Sequence, residues 1–525
     1  MSGTSPPFGT TRSPHDMVAS ADQLATQAGL TMLALGGNAV DAAIAANAAI
    51  AVTGPHLCGM GGDLFALVHT GGEVYALNAS GRAGSGADAA AVRADGHRTM
   101  PFRHDVRSVT VPGCVDGWVA LRERFGSLPL SVLLKPAIDL ADGGFPASPL
   151  LVGSLAMLDP RAQQSLHELA AQARRPGDRV RRPGAARALR AIAEGGRTAF
   201  YEGEFGEGLL ALGPGWFQPS DLATNGSSWV EPLSATAWGT KLWTIPPNSQ
   251  GYLTLGAAKL ASELELPADP DSPQWAHLLI EAATAAAFDR PEVLHDGADG
   301  EALLRAIATR GSMIDPDRAS RRPVAVFDGD TTYLCTADRA GTGVSLIQSN
   351  ASGFGSWLVE PNTQINLHNR GLGFSLRPGH PAELAPGRRP PHTLSPALAT
   401  VDGRLTAVFG TMGGDGQPQI LLQLAARLFH HGQSPAVAVN AGRWVPRGPH
   451  TGFDTWTSPD GPVVMVEGHA PGDWGRDLAG RGHTTASAPP YDSGFGHAHV
   501  IMRDPEGWWA GAADPRARVG SVAGR

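Results

Sequence analysis

A change of texture near residue 330 constrains this chain more than any other feature. Ahead of it the pattern is mostly helical: apolar spacing over residues 21–35 stops at Gly36-Gly37, and Asn38 with Asp41 three positions on predicts an N-cap and capping box. Further helices are predicted from CVDGWVALRERFG, LLKPAIDLADGG, ARALRAIAEGG and QWAHLLIEAATAAAFDR, and one hairpin from DLFALVHT and EVYALNAS around Gly71-Gly72. From Val324 onward short alternating stretches predict strands, VAVFD, TTYLCTAD, GVSLIQS, LTAVFG, VVMVEG and HVIMRD, interrupted by one helix, QILLQLAARLFHHG. A Pro- and Gly-rich segment, 371–392, is too long for an ordinary connection and reads as a lid over a site.

Composition narrows the function classes. With 525 residues, 42% of them hydrophobic, the chain can build a large core and is not disordered. Net charge is −8 and no basic run alternates with aromatics, which excludes a nucleic-acid partner. Only Lys135, Lys241 and Lys259 are lysines, leaving few candidates for Schiff-base or Ser-Lys chemistry. Cys58, Cys114 and Cys335 form neither a disulfide framework nor a metal knuckle, which points to a reduced, cytoplasmic protein. The N-terminus shows no secretory signal, and the apolar stretch 39–52 carries Asp41 and Asn47, so no membrane span is expected. GxSxG, GxGxxG and HExxH motifs are missing, and neither His497/His499 nor His430/His431 has a third ligand at metal spacing, so no metal and no cofactor are expected.

The boundary itself carries the chemistry. Thr331 and Thr332 follow Gly329-Asp330 and open a strand. Paired threonines there express β propensity by default. A threonine hydroxyl becomes a nucleophile when a base stands beside it, and the residue's own α-amine serves once the chain is cut before it. That amine titrates near ~7.7 to 8.0, in the working range of a base at neutral pH. The cut would fall at Asp330-Thr331, with Thr331 attacking the preceding carbonyl. Strand alternation places Thr331, Tyr333 and Cys335 on one face, and the turn at 338–341 brings Ser349 back beside Thr331.

With these features the chain resembles the γ-glutamyltranspeptidase family of N-terminal-nucleophile hydrolases over nearly its whole length. The matching blocks are GGNAVDAAIAANAAIAVTGPHLCGMGGDLFALV (36–68), VPGCVDGW, IPPNSQG, IEAATAAAFDR, GRRPPHTLSPALA, FGTMGGDGQPQ and ADPR. The resemblance implies an α+β fold, a four-layer αββα sandwich built as one intertwined unit from residues 1–330 and 331–525. It implies autocleavage at Thr331 and acyl transfer from a small amide through a Thr ester, the mature enzyme being a heterodimer of its own two chains. Carried over by position, Thr331 is the nucleophile, Ser349 the supporting hydroxyl, and Gly413 and Gly414 the oxyanion-hole glycines. His392 and Thr393 fall where the family has a Ser-Ser pair touching the substrate carboxylate.

The departures concern substrate. Typical members bind the α-carboxylate of a glutamyl group with an arginine in the stretch matching LNASGRAG; here that position is Ser80, with Arg82 two residues on. Ala351 and Gly373 replace the residues that grip the α-amino group, and Tyr333 replaces a histidine. The pattern NRGLGFSLRPGHPAELAPGRRPPHTLSP is nearer the acylase-like and amidohydrolase-like branch. Arg82 with His392 would suit an acid lacking a nearby amine; alternatively Arg82 pairs with a structural carboxylate. Two further readings stay open: a pathway hydrolase cleaving a bond other than an amide, and a scaffold or metabolite binder of the same fold without catalysis.

Overall fold

The computed structural model describes residues 9–320, 331–447 and 463–525. Asp330, on one side of the predicted cut, lies outside the described residues, as does VAVFD.

The helical reading of the N-terminal third holds. The helix Gln23–Ala34 ends just before Gly36, and Asn38 caps Ala39–Thr53 while Asp41 accepts the Asn38 amide, closing the capping box. Every residue of Ala39–Thr53 is buried, which its alanines permit because small side chains let neighbours approach closely. Strands Asp63–Thr70 and Glu73–Ala79 form the predicted hairpin; Gly71 and Gly72 both take positive φ, as a two-residue turn of the primed type demands.

Two antiparallel sheets of seven strands form the centre. One runs Ser521–Gly524, Met17–Ser20, Thr331–Ala337, Gly343–Ser349, Asp63–Thr70, Glu73–Ala79, Ser228–Val230. The other runs Thr11–Ser13, Trp509–Ala512, Ala498–Arg503, Arg404–Thr411, Ala397–Val401, Thr240–Thr244, Leu233–Ala237. Each sheet draws strands from both sides of residue 330.

Three apolar zones separate the layers. One, with Phe65, Leu67, Tyr333, Cys335, Ile347, Leu398, Val408 and Ile501, lies between the sheets. A second packs Ile44, Trp118 and their neighbours against Leu64, Leu334 and Leu346 on the outer face of the first sheet. The third packs Leu253, Leu279 and Leu421 against Ala399, Phe409 and Val500 of the other. Strand alternation explains the division: Tyr333 and Cys335 face inward while Leu334 faces the helices. The architecture is a four-layer αββα sandwich.

The helix predicted over 419–432 starts two residues earlier, at Gln417, and after Ala425 widens into a π turn over Ala426–His430. The strand predicted from VVMVEG belongs to a separate three-stranded sheet with Trp444–Arg447 and Thr485–Ala488.

Candidate active site

Strand register builds the site. Thr331 is paired with Ser349 on the next strand, and Ser349 with Asp63 on the strand beyond, so three polar residues line up across neighbouring strands at one end of the sheet. All three are fully buried. Two residues further in, Tyr333, Ile347 and Phe65 continue as core. The Thr331 hydroxyl donates to Ser349 Oγ at 2.9 Å, and the same oxygen accepts the Ala351 amide at 2.8 Å.

Arg370 opens the short helical turn Arg370–Gly373 and is buried. Its guanidinium donates to Ser349 Oγ at 3.1 Å and to Thr393 Oγ1 at 2.9 Å, joining the two hydroxyls. Burial, chiefly, lowers its pKa to about 10, with Asp63 and Asp415 opposing the shift and Arg290 adding to it. The group stays cationic at neutral pH.

Asp63 is the anionic end of the row. One carboxylate oxygen accepts the amides of Gly81 at 2.9 Å and Gly113 at 3.2 Å; the other meets His392 Nε2 at 3.1 Å. Burial alone would raise its pKa, yet His368, His392 and Arg370 outweigh burial and hold it at about 2. His392 is neutral for the converse reason: burial, then Arg370, lowers it to about 3. Its Nδ1 accepts the Leu394 amide at 3.2 Å, so both ring nitrogens are engaged within the protein.

Gln250 couples the remaining segments, donating to the carbonyls of Thr393 at 2.9 Å and Gly414 at 3.0 Å. Gly413 and Gly414 have φ of 134° and 52°, values that favour glycine, and lead into the helix Gln417–Ala425. Among the described residues neither amide N–H donates to a protein acceptor. Asp415 beside them meets Arg290 at 3.1 Å.

A cavity of about 470 Å³ opens alongside, lined by Leu372 and Gly373 of the Arg370 turn and the adjoining Phe374, by Pro391 next to His392, and by Arg290. The predicted lid segment thus contributes walls to it.

Arg82 stands apart from the row: it donates to the Gly387 carbonyl at 2.9 Å, lies 3.6 Å from Asp296, and its side chain is 39% exposed. Asp63, Arg370 and Gln250 escape sequence reasoning, although each sits inside or beside a block already singled out. Outside the site, His277, Glu281 and His483 bring ligand atoms within 4.8 Å of one another, the group among the described residues that could hold a metal. His277 is hydrogen-bonded to His483 at 2.8 Å and to the Asp315 carbonyl at 2.9 Å, a polar clasp between the helix Pro273–Ala287 and neighbouring loops.

The sandwich is the fold of the N-terminal-nucleophile hydrolase class. The sequence model of the gamma-glutamyltranspeptidase family matches residues 25–524, and the chain belongs to that family of hydrolase and transferase enzymes. It is 36% identical to an oxamate amidohydrolase proenzyme of Klebsiella pneumoniae subsp. pneumoniae, covering 98% of this chain and 99% of the relative. It is 33% identical to the glutathione hydrolase-like YwrD proenzyme of Bacillus subtilis, covering 96% and 98%. Among solved structures, a cephalosporin acylase from Bacillus halodurans superposes with a TM-score of 0.89 at 35% identity, covering 100% of this chain and 99% of that one.

Proposed function

We propose that this chain is an autoprocessing amidase: Thr331, exposed as an N-terminus by cleavage after Asp330, forms an acyl ester with a small carboxylate-bearing amide and passes the acyl group to water or an amine. The observation that carries this reading is the 2.9 Å contact of Thr331 with Ser349 at the head of a buried strand. Several relatives are proenzymes, which supports the processing step.

In this reading the Thr331 amine takes the hydroxyl proton as oxygen attacks the amide carbon, and returns it to the departing nitrogen. Ser349 holds the hydroxyl in one rotamer. The Gly413 and Gly414 amides, having no protein acceptor among the described residues, supply donors for the oxyanion. Thr393 presents its hydroxyl to the acyl group. His392 acts through the segment it braces against Asp63, while Arg82 is engaged by Asp296 and the Gly387 carbonyl away from Thr331.

The two chains, 1–330 and 331–525, stay together as a heterodimer because both sheets are shared between them. The three cysteines are free and buried, which supports a cytoplasmic location, and no described helix is long and apolar enough to cross a membrane.

The test is a panel of oxamoyl, glutaryl and γ-glutamyl amides assayed with the wild type and Thr331→Ala. Hydrolysis of the acid amides that vanishes in Thr331→Ala, together with an uncut chain, supports the reading. Equal activity of the two proteins overturns it.

A further inference from the structure

We propose that Arg370 is the specificity-determining residue of this site: it binds the carboxylate of the acyl group and so selects the monoamide of a short dicarboxylic acid, oxalic to succinic. This rests on Thr331 being the nucleophile.

Donors outnumber lone pairs at the Ser349 hydroxyl. Thr331, Arg370 and the Ala351 amide all point at Ser349 Oγ, at 2.9, 3.1 and 2.8 Å. A hydroxyl oxygen has two lone pairs, so one donor is in excess. A substrate oxygen can therefore take over the Arg370 nitrogen without leaving Ser349 unsatisfied.

Charge favours the same assignment. The guanidinium keeps its proton at neutral pH, with a pKa of about 10 in a buried site, where a carboxylate paired through two parallel N–H donors gains most. Asp63 and Asp415 lie close enough to support that positive charge.

Reach favours it as well. Two hydrogen bonds in succession, 2.9 and 3.1 Å, separate the Thr331 oxygen from the guanidinium. A carboxylate attached directly to the scissile carbonyl, or one or two methylenes beyond it, spans that gap. The α-carboxylate of a γ-glutamyl group lies three carbons from its own scissile carbonyl.

The surroundings also disfavour an ammonium. A Cβ on Gly373 would stand 2.3 Å from the Pro391 carbonyl oxygen, so an aspartate cannot be seated there without displacing the segment that carries His392. Glu292 does line the cavity, but it is 59% exposed and bonded to Arg377.

Calorimetric titration of the matured enzyme with oxalate, and hydrolysis of oxamate against the neutral diamide oxamide, test this. Arg370→Gln is expected to weaken oxalate binding by about 30-fold and to lower the oxamate-to-oxamide ratio of kcat/KM by a similar factor, mainly through KM, because it removes a charge-assisted pair. Arg370→Lys, which keeps the charge without the fork, should recover part of both effects and carries the test if the glutamine variant fails to mature. Undiminished oxalate binding, or an equal loss on both amides, overturns the assignment of Arg370. Retention of activity in Thr331→Ala would instead overturn the reading beneath it.

Discussion

In the proposed mechanism Thr331, once the bond before it is cut, carries its own base, and the charges around it set that base's strength. The Arg370 cation, bonded to the Ser349 hydroxyl that Thr331 also touches, disfavours a second positive charge, so the amine should titrate below the free-peptide value of ~7.7 to 8.0. Activity requires the neutral amine, hence kcat/KM should rise with pH and level off with an inflection near or below ~7.5. A profile that falls over that range would contradict the assignment. Asp63 is predicted to matter for stability. Its folded pKa of about 2 lies below the ordinary carboxylate value, so its contribution is present above pH ~4 and is lost as pH falls toward 2. Asp63→Asn replaces an acceptor facing two backbone amides and a ring N–H, and should lower stability by about 2–4 kcal/mol in denaturant titration. Thr331 opposite Ser349 is legible in the sequence because alternation and one tight turn fix the pairing. Arg370 and Asp63 are not, because a charged side chain becomes a buried site residue only through partners distant in the sequence.

At the scale of elements, the central strand is held against the opposite sheet by a close approach that glycine permits. A Cβ on Gly410 would fall 2.2 Å from the Tyr333 ring, two residues along the strand from Thr331. Gly410→Ala should therefore displace Tyr333, destabilise the fold by about 3 kcal/mol and slow chain cleavage, followed by thermal denaturation and gel analysis. Thr332 is the opposite case: its buried hydroxyl has no partner among the described residues, so Thr332→Val should leave stability unchanged or raise it by about 1 kcal/mol. Elements with local signals are legible, among them the Asn38 capping box and the Gly71-Gly72 turn. The order of strands in the sheets is not, since the Thr331 strand pairs with Met17–Ser20 over some three hundred residues of chain. The π turn after Ala425 is likewise a product of tertiary packing and has no signature of its own.

For the whole molecule, neutral histidines that are buried, or half-buried in the case of His483, set the acid limit. His56, His392 and His497 are pushed to about 3, and His483 and His499 to about 4, in each case chiefly by burial. Their folded values lie below the unfolded value of ~6.5, so their contribution is full above that pH and is lost as pH falls from 6.5 toward 4 and below. The melting temperature should decline steadily over that window, earlier than the carboxylates alone would dictate. The sharing of both sheets by residues before and after 330 further predicts that the cleaved chains co-elute on gel filtration and separate only when unfolded. The measurement that bears most directly on the account is intact-mass analysis with N-terminal sequencing of the active enzyme. The account predicts two chains, the smaller beginning at Thr331; a fully active preparation in which the chain is uncut at Thr331 would contradict it.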